Sequence, residues 1–292
     1  MSTRTENQWL QRIPSLSTHC LNIVTLINNY GSYYQFQHLS SVPLRRRKEH
    51  TELPYSVCQA SPDHIFVSFT HASRVCRFNM NGEEIWSVYV LSPLQICVSN
   101  HELYVANHIS HTIDVFSFDG ILKRQWNVYE PLGISYSSLN DQIIVATYDC
   151  LCGFTRNGVE LWRRLKYFKK PTLLTVNTIN GTIYAVSYSA PYIDVIDSNG
   201  IHRVRHSFQI KNRFGSGAVI NAFGELLLLS HSRTEGRIKS HLSKNDCNSI
   251  CTYDCNFSLK QSNHIEFENS VFCAGWSGQL IFVDRFHIHF VK

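Results

Sequence analysis

Short apolar runs recur along most of the chain. The six runs are Ile65–Ser68, Leu103–Ala106, Ile143–Ala146, Ile183–Val186, Leu226–Leu229 and Leu280–Val283. Their first residues are separated by 38, 40, 40, 43 and 54 positions, so the period is nearly constant with one expansion. A repeat of this length indicates several copies of one supersecondary unit that share a continuous core.

A second sequence marker recurs at nearly the same spacing. Four Asn-Gly or Asp-Gly pairs separate strand-like segments, at Asn81-Gly82, Asp119-Gly120, Asn157-Gly158 and Asn199-Gly200. Such pairs suit tight hairpin turns because those turns need positive φ. The strand that follows the turn often carries a tryptophan, as at Trp86, Trp126 and Trp162.

Small residues form a third marker ahead of the apolar runs. They are Cys58, Cys97, Ser135, Thr175 and Cys273. Each unit therefore contains a small-residue strand, an apolar strand, a strand that ends at the glycine turn, and an outer strand. Four antiparallel strands in about 40 residues form the blade of a propeller. The sequence predicts an all-β fold, a six-bladed β-propeller of four-stranded antiparallel blades, with the small-residue strands nearest the axis.

The chain ends one strand after the sixth apolar run, at 287–292, so the sixth blade lacks its outer strand. We expect an N-terminal strand within 22–44 to supply it, because closure removes an exposed sheet edge. Residues 1–18 are predicted to form a tail or a short helix, and 19–292 a single propeller domain. An insertion falls at about 231–248, in the fifth blade.

The segment from Leu103–Asn107 through Phe116–Gly120 resembles the NHL repeat, which has an apolar run, a polar loop and an apolar strand ending in Asp-Gly or Asn-Gly. The resemblance covers roughly residues 50–292. It implies a propeller that binds RNA or protein. Related six-bladed propellers include metal-dependent hydrolases and lyases.

The composition permits an acidic partner without requiring one. The chain has 27 Lys and Arg against 22 Asp and Glu, a net charge of +5. Its ten cysteines and the lack of an apolar leader in the sequence favour free thiols in a reducing, intracellular environment, cytoplasm or nucleus. No apolar run is long enough to cross a bilayer. We expect a monomer without membrane contact.

The predicted inner strands carry no Asp, Glu or His, so the sequence predicts no catalytic residue, no metal and no cofactor. Cys247, Cys251 and Cys255 lie near His241 and His264, a set that could bind zinc, but free thiols are favoured because the Cys-x-x-Cys pairing is absent. The two residues Cys150 and Cys152 would face one side of a strand, where packing is the favoured role.

Basic residues cluster in predicted links between an outer strand and the next inner strand, whereas other such links, such as 128–131, are not basic. The clusters comprise Arg45, Arg46, Arg47 and Lys48; Arg163, Arg164, Lys166, Tyr167, Phe168, Lys169 and Lys170; and Lys211 and Arg213. All three would open on one face. The leading hypothesis is a non-catalytic scaffold or adaptor that binds a protein partner through this face. Single-stranded RNA binding is the alternative, since cations hold phosphates and aromatic rings stack on bases. A metal-dependent hydrolase or lyase of the six-bladed propeller class is a further alternative.

Overall fold

The computed structural model describes residues 38–44, 53–61, 63–99, 101–165, 171–187, 192–207, 213–221, 224–232, 248–254, 257, 259–265, 271–274, 279–283 and 287–291. All of them belong to one compact unit, Phe36–Lys292. The predicted tail at 1–18 and most of the predicted insertion lie outside the described residues.

The described residues form 24 strands in six four-stranded antiparallel sheets, and they contain no helix. Blade 1 comprises β2 (Ser56–Ser61), β3 (His64–Phe69), β4 (Arg74–Phe78) and β5 (Glu84–Tyr89). Blade 2 comprises β6 (Pro93–Ser99), β7 (Glu102–Asn107), β8 (Thr112–Ser117) and β9 (Leu122–Asn127). Blade 3 comprises β10 (Gly133–Ser137), β11 (Gln142–Ala146), β12 (Cys150–Phe154) and β13 (Glu160–Leu165).

Blade 4 comprises β14 (Pro171–Val176), β15 (Ile183–Ser187), β16 (Tyr192–Ile196) and β17 (His202–Ser207). Blade 5 comprises β18 (Arg213–Ile220), β19 (Leu226–Ser232), β20 (Asn248–Tyr253) and β21 (Leu259–Ile265). Blade 6 comprises β22 (Val271–Ala274), β23 (Leu280–Val283), β24 (His287–Val291) and the N-terminal β1 (His38–Pro43). The predicted six-bladed fold is confirmed.

The sheets close into a ring in the predicted way. The inner strands are β2, β6, β10, β14, β18 and β22, and each contacts the next around the axis. Strand β1 pairs antiparallel with β24, so an N-terminal strand within the predicted range completes the last blade. The apolar runs form the second strand of each blade, where residues such as Ile65, Leu103 and Ile143 are fully buried. Burial of these runs between neighbouring blades forms the core.

The glycine turns and the tryptophans recur together because they contact one another between blades. Three tryptophans on outer strands pack against the glycine turn of the next blade: Trp86 on Gly120, Trp126 on Gly158 and Trp162 on Gly200. The indole nitrogen of Trp86 also donates to the Phe118 carbonyl at 2.8 Å. Gly158 has a φ of +84°, and an added Cβ would lie 2.6 Å from the Trp126 ring. Both the backbone conformation and the close contact therefore require glycine.

The closing strand β1 packs against the glycine turn of the first blade, where tryptophans pack in blades 2 to 4. An added Cβ at Gly82, whose φ is +73°, would meet the Pro43 carbonyl and the Val42 side chain. The last blade thus contacts the first through β1 rather than through a tryptophan.

Candidate functional site

The strand order places two kinds of link on one face of the disc. Because the four strands of a blade alternate in direction, the link from second to third strand and the link to the next blade emerge at the same end. In blades 1 to 3 the described links of this kind are 70–73, 90–92, 108–111, 128–132 and 147–149. We call the surface formed by these links and the adjoining strand ends the loop face. The opposite surface, which carries the glycine turns, is the turn face.

Large apolar side chains are exposed on the loop face. They are Tyr89, Leu91, Ile109, Tyr129, Tyr148 and Leu165. Tyr89 is 75% exposed and Tyr129 is 68% exposed, so these rings contribute little to the core. Tyrosine combines a broad apolar ring with a polar tip and is enriched where protein surfaces meet. The turn face also exposes aliphatic side chains, such as Val159 and Ile179, but the exposed tyrosines of the described residues lie on the loop face. Exposed aromatic rings on neighbouring links are typical of an interaction surface.

Backbone hydrogen bonds hold these links together. The Val90 N–H donates to Ser73 at 3.0 Å, and the His108 N–H donates to Ser92 at 3.2 Å. The Val128 N–H donates to the carbonyl of His111 at 2.9 Å. The first and third bonds join the two kinds of link within a blade, and the second joins the link that leaves blade 1 to blade 2. The exposed rings therefore stand on an ordered frame.

Several non-glycine residues of the loop face have positive φ. They are Ser73, Ser92, His111 and Glu130, with φ between 46° and 63°. Such conformations cost on the order of 1 kcal/mol or more each and cluster at functional surfaces. The His111 ring stacks on Tyr129 with 4.9 Å between centroids, and its Nδ1 accepts from the Glu130 N–H at 3.1 Å. This contact fixes the direction in which Tyr129 projects.

The inner strands line a central channel with a cavity of about 310 Å³. Strand pairing sets one residue from each blade opposite the second residue of its apolar run, so these residues share one level of the ring. They are Cys58, Cys97, Ser135, Thr175, Val219 and Cys273. Among the described residues that line the cavity there is no Asp, Glu or His. Nor does the described part of the chain contain three or more metal-ligating side chains placed to hold an ion.

Cys273, Cys58 and Cys97 follow one another around the axis on blades 6, 1 and 2. Burial raises the pKa of all three thiols above the ordinary value for cysteine, to about 12 for Cys273. At Cys58, the neighbouring Cys273 and Cys97 raise the pKa further. These thiols stay protonated at neutral pH, and a protonated thiol is a poor nucleophile.

A glutamine that sequence reasoning left without a role joins three blades near the loop-face end of the channel. The Gln95 side-chain oxygen accepts from the N–H groups of Ile134 at 3.0 Å and Leu174 at 2.8 Å. Its amide nitrogen donates to the Leu174 carbonyl at 2.7 Å. The side chain passes close to Gly133, where an added Cβ would lie 3.1 Å from its oxygen. Gln95 thus braces the frame that carries the loop face.

The structure corrects the prediction for the second basic cluster. Arg163 and Arg164 lie inside the outer strand β13 and not in the link to blade 4, because the strand continues to Leu165. The Arg163 guanidinium binds Glu160 through two hydrogen bonds of 3.0 and 2.7 Å. The Arg164 guanidinium lies 5.8 Å from the centroid of the Trp162 ring.

The structure does not describe the side chains of the other predicted basic and aromatic residues. Arg45, Arg46, Arg47, Lys48, Lys166, Tyr167, Phe168, Lys169, Lys170 and Lys211 lie outside the described residues. Arg213 begins β18, and only its backbone is described. Their part in a partner-binding face stays a prediction. Of the three spaced cysteines, Cys251 is buried in β20, whereas Cys247 and Cys255 lie outside the described residues.

Arginines recur opposite one level of the third strand. In blade 4, Arg205 of β17 pairs with Asp194 of β16, and the guanidinium binds the buried carboxylate at 2.7 and 3.1 Å. In blade 3, Arg163 takes the same place opposite Cys152. Its Nη1 donates to the Cys150 thiol sulfur at 3.5 Å. Cys152 therefore stands where blades 2 and 4 place the carboxylates of Asp114 and Asp194, and in blade 2 the residue opposite is Gln125 and not an arginine.

Sequence reasoning missed the exposed aromatics of the loop face. It set the link 128–131 aside because the link is not basic, yet Tyr129 there is among the most exposed large side chains. A tyrosine beside glutamate and proline in a link was the available signal, since a link has no core to bury a ring.

The fold defines the class: this protein is a six-bladed β-propeller. No family model matches the chain, and no curated protein matches it in sequence. The NHL resemblance is supported only at the level of the propeller fold. Within the described residues no helix is long and apolar enough to cross a membrane.

Solved structures of similar fold include enzymes. A streptogramin B lyase is 13% identical with a TM-score of 0.62, over 88% of this chain and 97% of that one. A catalytically inactive histidine-to-alanine variant of virginiamycin B lyase from Staphylococcus aureus, with quinupristin, is 12% identical with a TM-score of 0.62, over 88% and 99%. Hydrazine synthase of Kuenenia stuttgartiensis is 15% identical with a TM-score of 0.61, over 86% and 77%. At these identities the likeness shows the fold alone, because one fold hosts many functions.

Proposed function

We propose that this protein is a non-catalytic interaction module that binds a protein partner through the loop face of blades 1 to 3. The observation that carries the proposal is the group of exposed tyrosines on that face, Tyr89, Tyr129 and Tyr148, with the aliphatic side chains beside them. Their frame is braced by backbone hydrogen bonds and by Gln95, so little order has to be gained on binding. Preorganised aromatic side chains are the residues that dominate protein interfaces.

The described channel lining supports binding rather than catalysis. It presents aliphatic groups, hydroxyls and protonated thiols, and it offers neither a carboxylate nor an imidazole for proton transfer. The virginiamycin B lyase variant in which one histidine is replaced by alanine is catalytically inactive. A lyase reaction in this channel has no such group among the described lining residues.

The test compares two triple variants of the full chain in affinity purification from its cells of origin with quantitative mass spectrometry. The first replaces Tyr89, Ile109 and Tyr129 of the loop face by serine. The matched control replaces Ile121, Val159 and Ile201 by serine, and these side chains are exposed to a similar degree on the turn face. We expect a protein that wild type and the control capture equally and that the loop-face variant captures about tenfold less, a loss of roughly 1.4 kcal/mol in affinity.

A captured protein counts as a partner when the purified pair binds with the same order of affinities and when ribonuclease leaves the capture unchanged. An equal loss in both triple variants would contradict the proposal. Capture that ribonuclease abolishes, with an RNA affinity that falls steeply with salt, would replace it by the RNA hypothesis.

A further inference from the structure

Backbone hydrogen bonds anchor both ends of the link 128–132, which carries Tyr129. The Val128 N–H donates to the His111 carbonyl at 2.9 Å, and the Leu132 N–H donates to the Ala146 carbonyl at 2.8 Å. Both bonds join one amide group to another, so neither partner gains or loses a proton near neutral pH. Any response of this link to pH therefore falls on its three middle residues.

Two histidines of blade 2 hold the middle of the link, and their bonds have opposite polarity. Nδ1 of His111 lies 3.1 Å from the backbone N–H of Glu130. Because that N–H can only donate, Nδ1 of His111 carries a lone pair and the proton of the neutral ring is on Nε2. Nδ1 of His108 lies 3.3 Å from the carbonyl of Pro131, which can only accept. Nδ1 of His108 therefore carries a proton.

Protonation affects these two bonds in opposite ways. An imidazolium carries a proton on both ring nitrogens, so a protonated His108 keeps its bond to the Pro131 carbonyl. A protonated His111 directs an N–H at the N–H of Glu130, so this bond is lost and two positive dipole ends face each other. The stacking of His111 on Tyr129 does not oppose protonation, because an imidazolium also lies favourably over an aromatic ring.

The bond that protonation removes holds a strained residue. Glu130 has a φ of +46°, which is uncommon for a residue with a side chain and costs free energy. The hydrogen bond from its N–H to His111 offsets that cost. A return of Glu130 to negative φ rotates the peptide that precedes it, and with it the backbone of Tyr129. The orientation of Tyr129 on the loop face therefore depends on the bond to Nδ1 of His111.

His111 is surrounded by groups that ordinarily keep their charge between pH 7.5 and 5.5. The link 90–92 carries no titratable side chain, and the titratable side chains of the link 108–111, β8, β9 and the links 128–132 and 147–149 are, besides His111, His108, Asp114, Lys123, Arg124, Tyr129, Glu130 and Asp149. Carboxyl groups ordinarily titrate below this range, and phenols, lysines and arginines titrate above it. Histidine titrates within it. The polarity of the two imidazole bonds then selects His111 over His108.

We propose that the loop face is a pH-sensitive binding surface and that His111 is its switch. This inference rests on the proposed function, because Tyr129 belongs to the surface that binds the partner. With His111 neutral, the Glu130 N–H is held and Tyr129 stands in its binding orientation. When His111 takes up a proton, the middle of the link rearranges and the partner is released. His111 is a positioning residue, since it acts through the link and needs no contact with the partner.

The first experiment measures the switch without a partner. Hydrogen–deuterium exchange of the full-length protein is recorded at pH 7.5 and 5.5, corrected for the intrinsic effect of pH, and localised to single amides by fragmentation. We expect the protection of the Glu130 amide to fall about tenfold, which is the change in the neutral fraction of an ordinary histidine between these pH values. The Val128 and Leu132 amides should stay protected. Equal protection of the Glu130 amide at both pH values would overturn the proposal.

Two matched variants assign the response to one ring. His111→Asn places an amide oxygen near the position of Nδ1, an acceptor that takes up no proton in this range, and asparagine tolerates the φ of +55° found there. We expect equal protection of the Glu130 amide at both pH values in this variant. His108→Asn keeps a donor for the Pro131 carbonyl and should respond as wild type does. A response that persists in His111→Asn, or that disappears in His108→Asn, would refute the assignment to His111.

The second experiment separates this inference from the proposed function. For a partner that wild type captures and the loop-face triple variant loses, we expect about tenfold weaker binding at pH 5.5 than at pH 7.5, and no such change with His111→Asn. The absence of any such partner would contradict the proposed function, while the exchange measurement would still decide whether His111 controls the link. A Glu130 amide that responds to pH, together with an affinity that does not, would overturn the role of the switch in binding.

Discussion

The repeated hairpins of the turn face and the links of the loop face reach the same backbone conformation with different residues. On the turn face, positive φ falls on glycines at one repeated hairpin position of blades 1 to 4, Gly82, Gly120, Gly158 and Gly200, and elsewhere on this face it also falls on His101, Asp141 and Phe257. On the loop face it falls on Ser73, Ser92, His111 and Glu130. Glycine adopts this conformation at no steric cost, whereas the other residues carry strain. The repeated hairpins of the turn face therefore avoid strain, whereas these links of the loop face keep side chains where glycine would have none.

The repeated glycines of the turn face and the positive-φ residues of the loop face also differ in their neighbours. Each repeated glycine of the second to fourth blades lies under a tryptophan from the preceding blade, so the turn face consists of interlocked and repeated contacts. The strained residues of the loop face stand instead among exposed rings such as Tyr89 and Tyr129. The glycine–tryptophan contacts that recur from blade to blade stabilise the ring. The exposed tyrosines of the loop face do not recur and can contact a partner.

The largest expected effect comes from adding one methyl group to the turn face. Gly158→Ala places a Cβ 2.6 Å from the Trp126 ring and forces alanine to a φ of +84°. We expect the free energy of unfolding, measured by urea denaturation, to fall by about 3 kcal/mol, roughly 1 from the backbone and 2 from overpacking.

A double-mutant cycle with Trp126→Leu separates the two terms. The smaller side chain relieves the overpacking, so Gly158→Ala should cost only about 1 kcal/mol in that background. An unchanged cost would mean that the tryptophan does not set the requirement for glycine and that the turn face is less tightly interlocked than the contacts indicate.

An ion pair of the turn face predicts the next largest effect. Arg124 binds Glu102 through two hydrogen bonds of 2.8 and 2.7 Å and also donates to the Arg156 carbonyl of the next blade at 2.8 Å. The hydrogen bonds from Arg124 lower the pKa of Glu102 to about 2. Because the folded pKa lies below the unfolded value of about 4.3, the stabilisation is complete above that value and is lost as the pH falls toward 2.

Glu102→Gln is therefore expected to cost about 2 kcal/mol at pH 7 and to flatten the acid limb of stability against pH. Urea denaturation at a series of pH values measures both. The control is Asp149→Asn at an exposed loop-face carboxylate, which should leave the profile as in wild type. A flattened profile in the control, or an unchanged one in Glu102→Gln, would show that other groups cause the acid sensitivity.

The repeated features could be read from the sequence because they depend on local chemistry. The pair Asn157-Gly158 predicts a tight turn, and Trp126 lies 32 positions before Gly158, close to the 34 positions that separate Trp86 from Gly120. The closing strand could be predicted because the last blade was one strand short. In each case the geometry of a single blade determines which residue or strand is needed at that position.

The candidate sites depend on what lies opposite in another strand, which spacing along the chain does not give. Arg163 and Arg164 were placed in a link because charges suit links, but the strand continues through them and Arg163 binds Glu160. The register across β12 and β13 sets Arg163 opposite Cys152, and its guanidinium reaches the sulfur of Cys150. Gln95 hydrogen-bonds to Leu174, which lies 79 positions further along the chain, and no local sequence pattern predicts such a contact.

The smallest effect on stability should come from the loop face. Serine at Tyr89, Ile109 and Tyr129 removes exposed rings and an exposed aliphatic side chain that bury little area, so each change should alter the free energy of unfolding by no more than about 0.5 kcal/mol. Tyr129 loses its stacking on His111, and so it should account for most of any decrease. Urea denaturation of the triple variant measures the sum. A loss as large as that of Gly158→Ala would mean that these side chains support the ring, and the contrast between a structural face and a binding face would then fail, because both faces would be needed for folding.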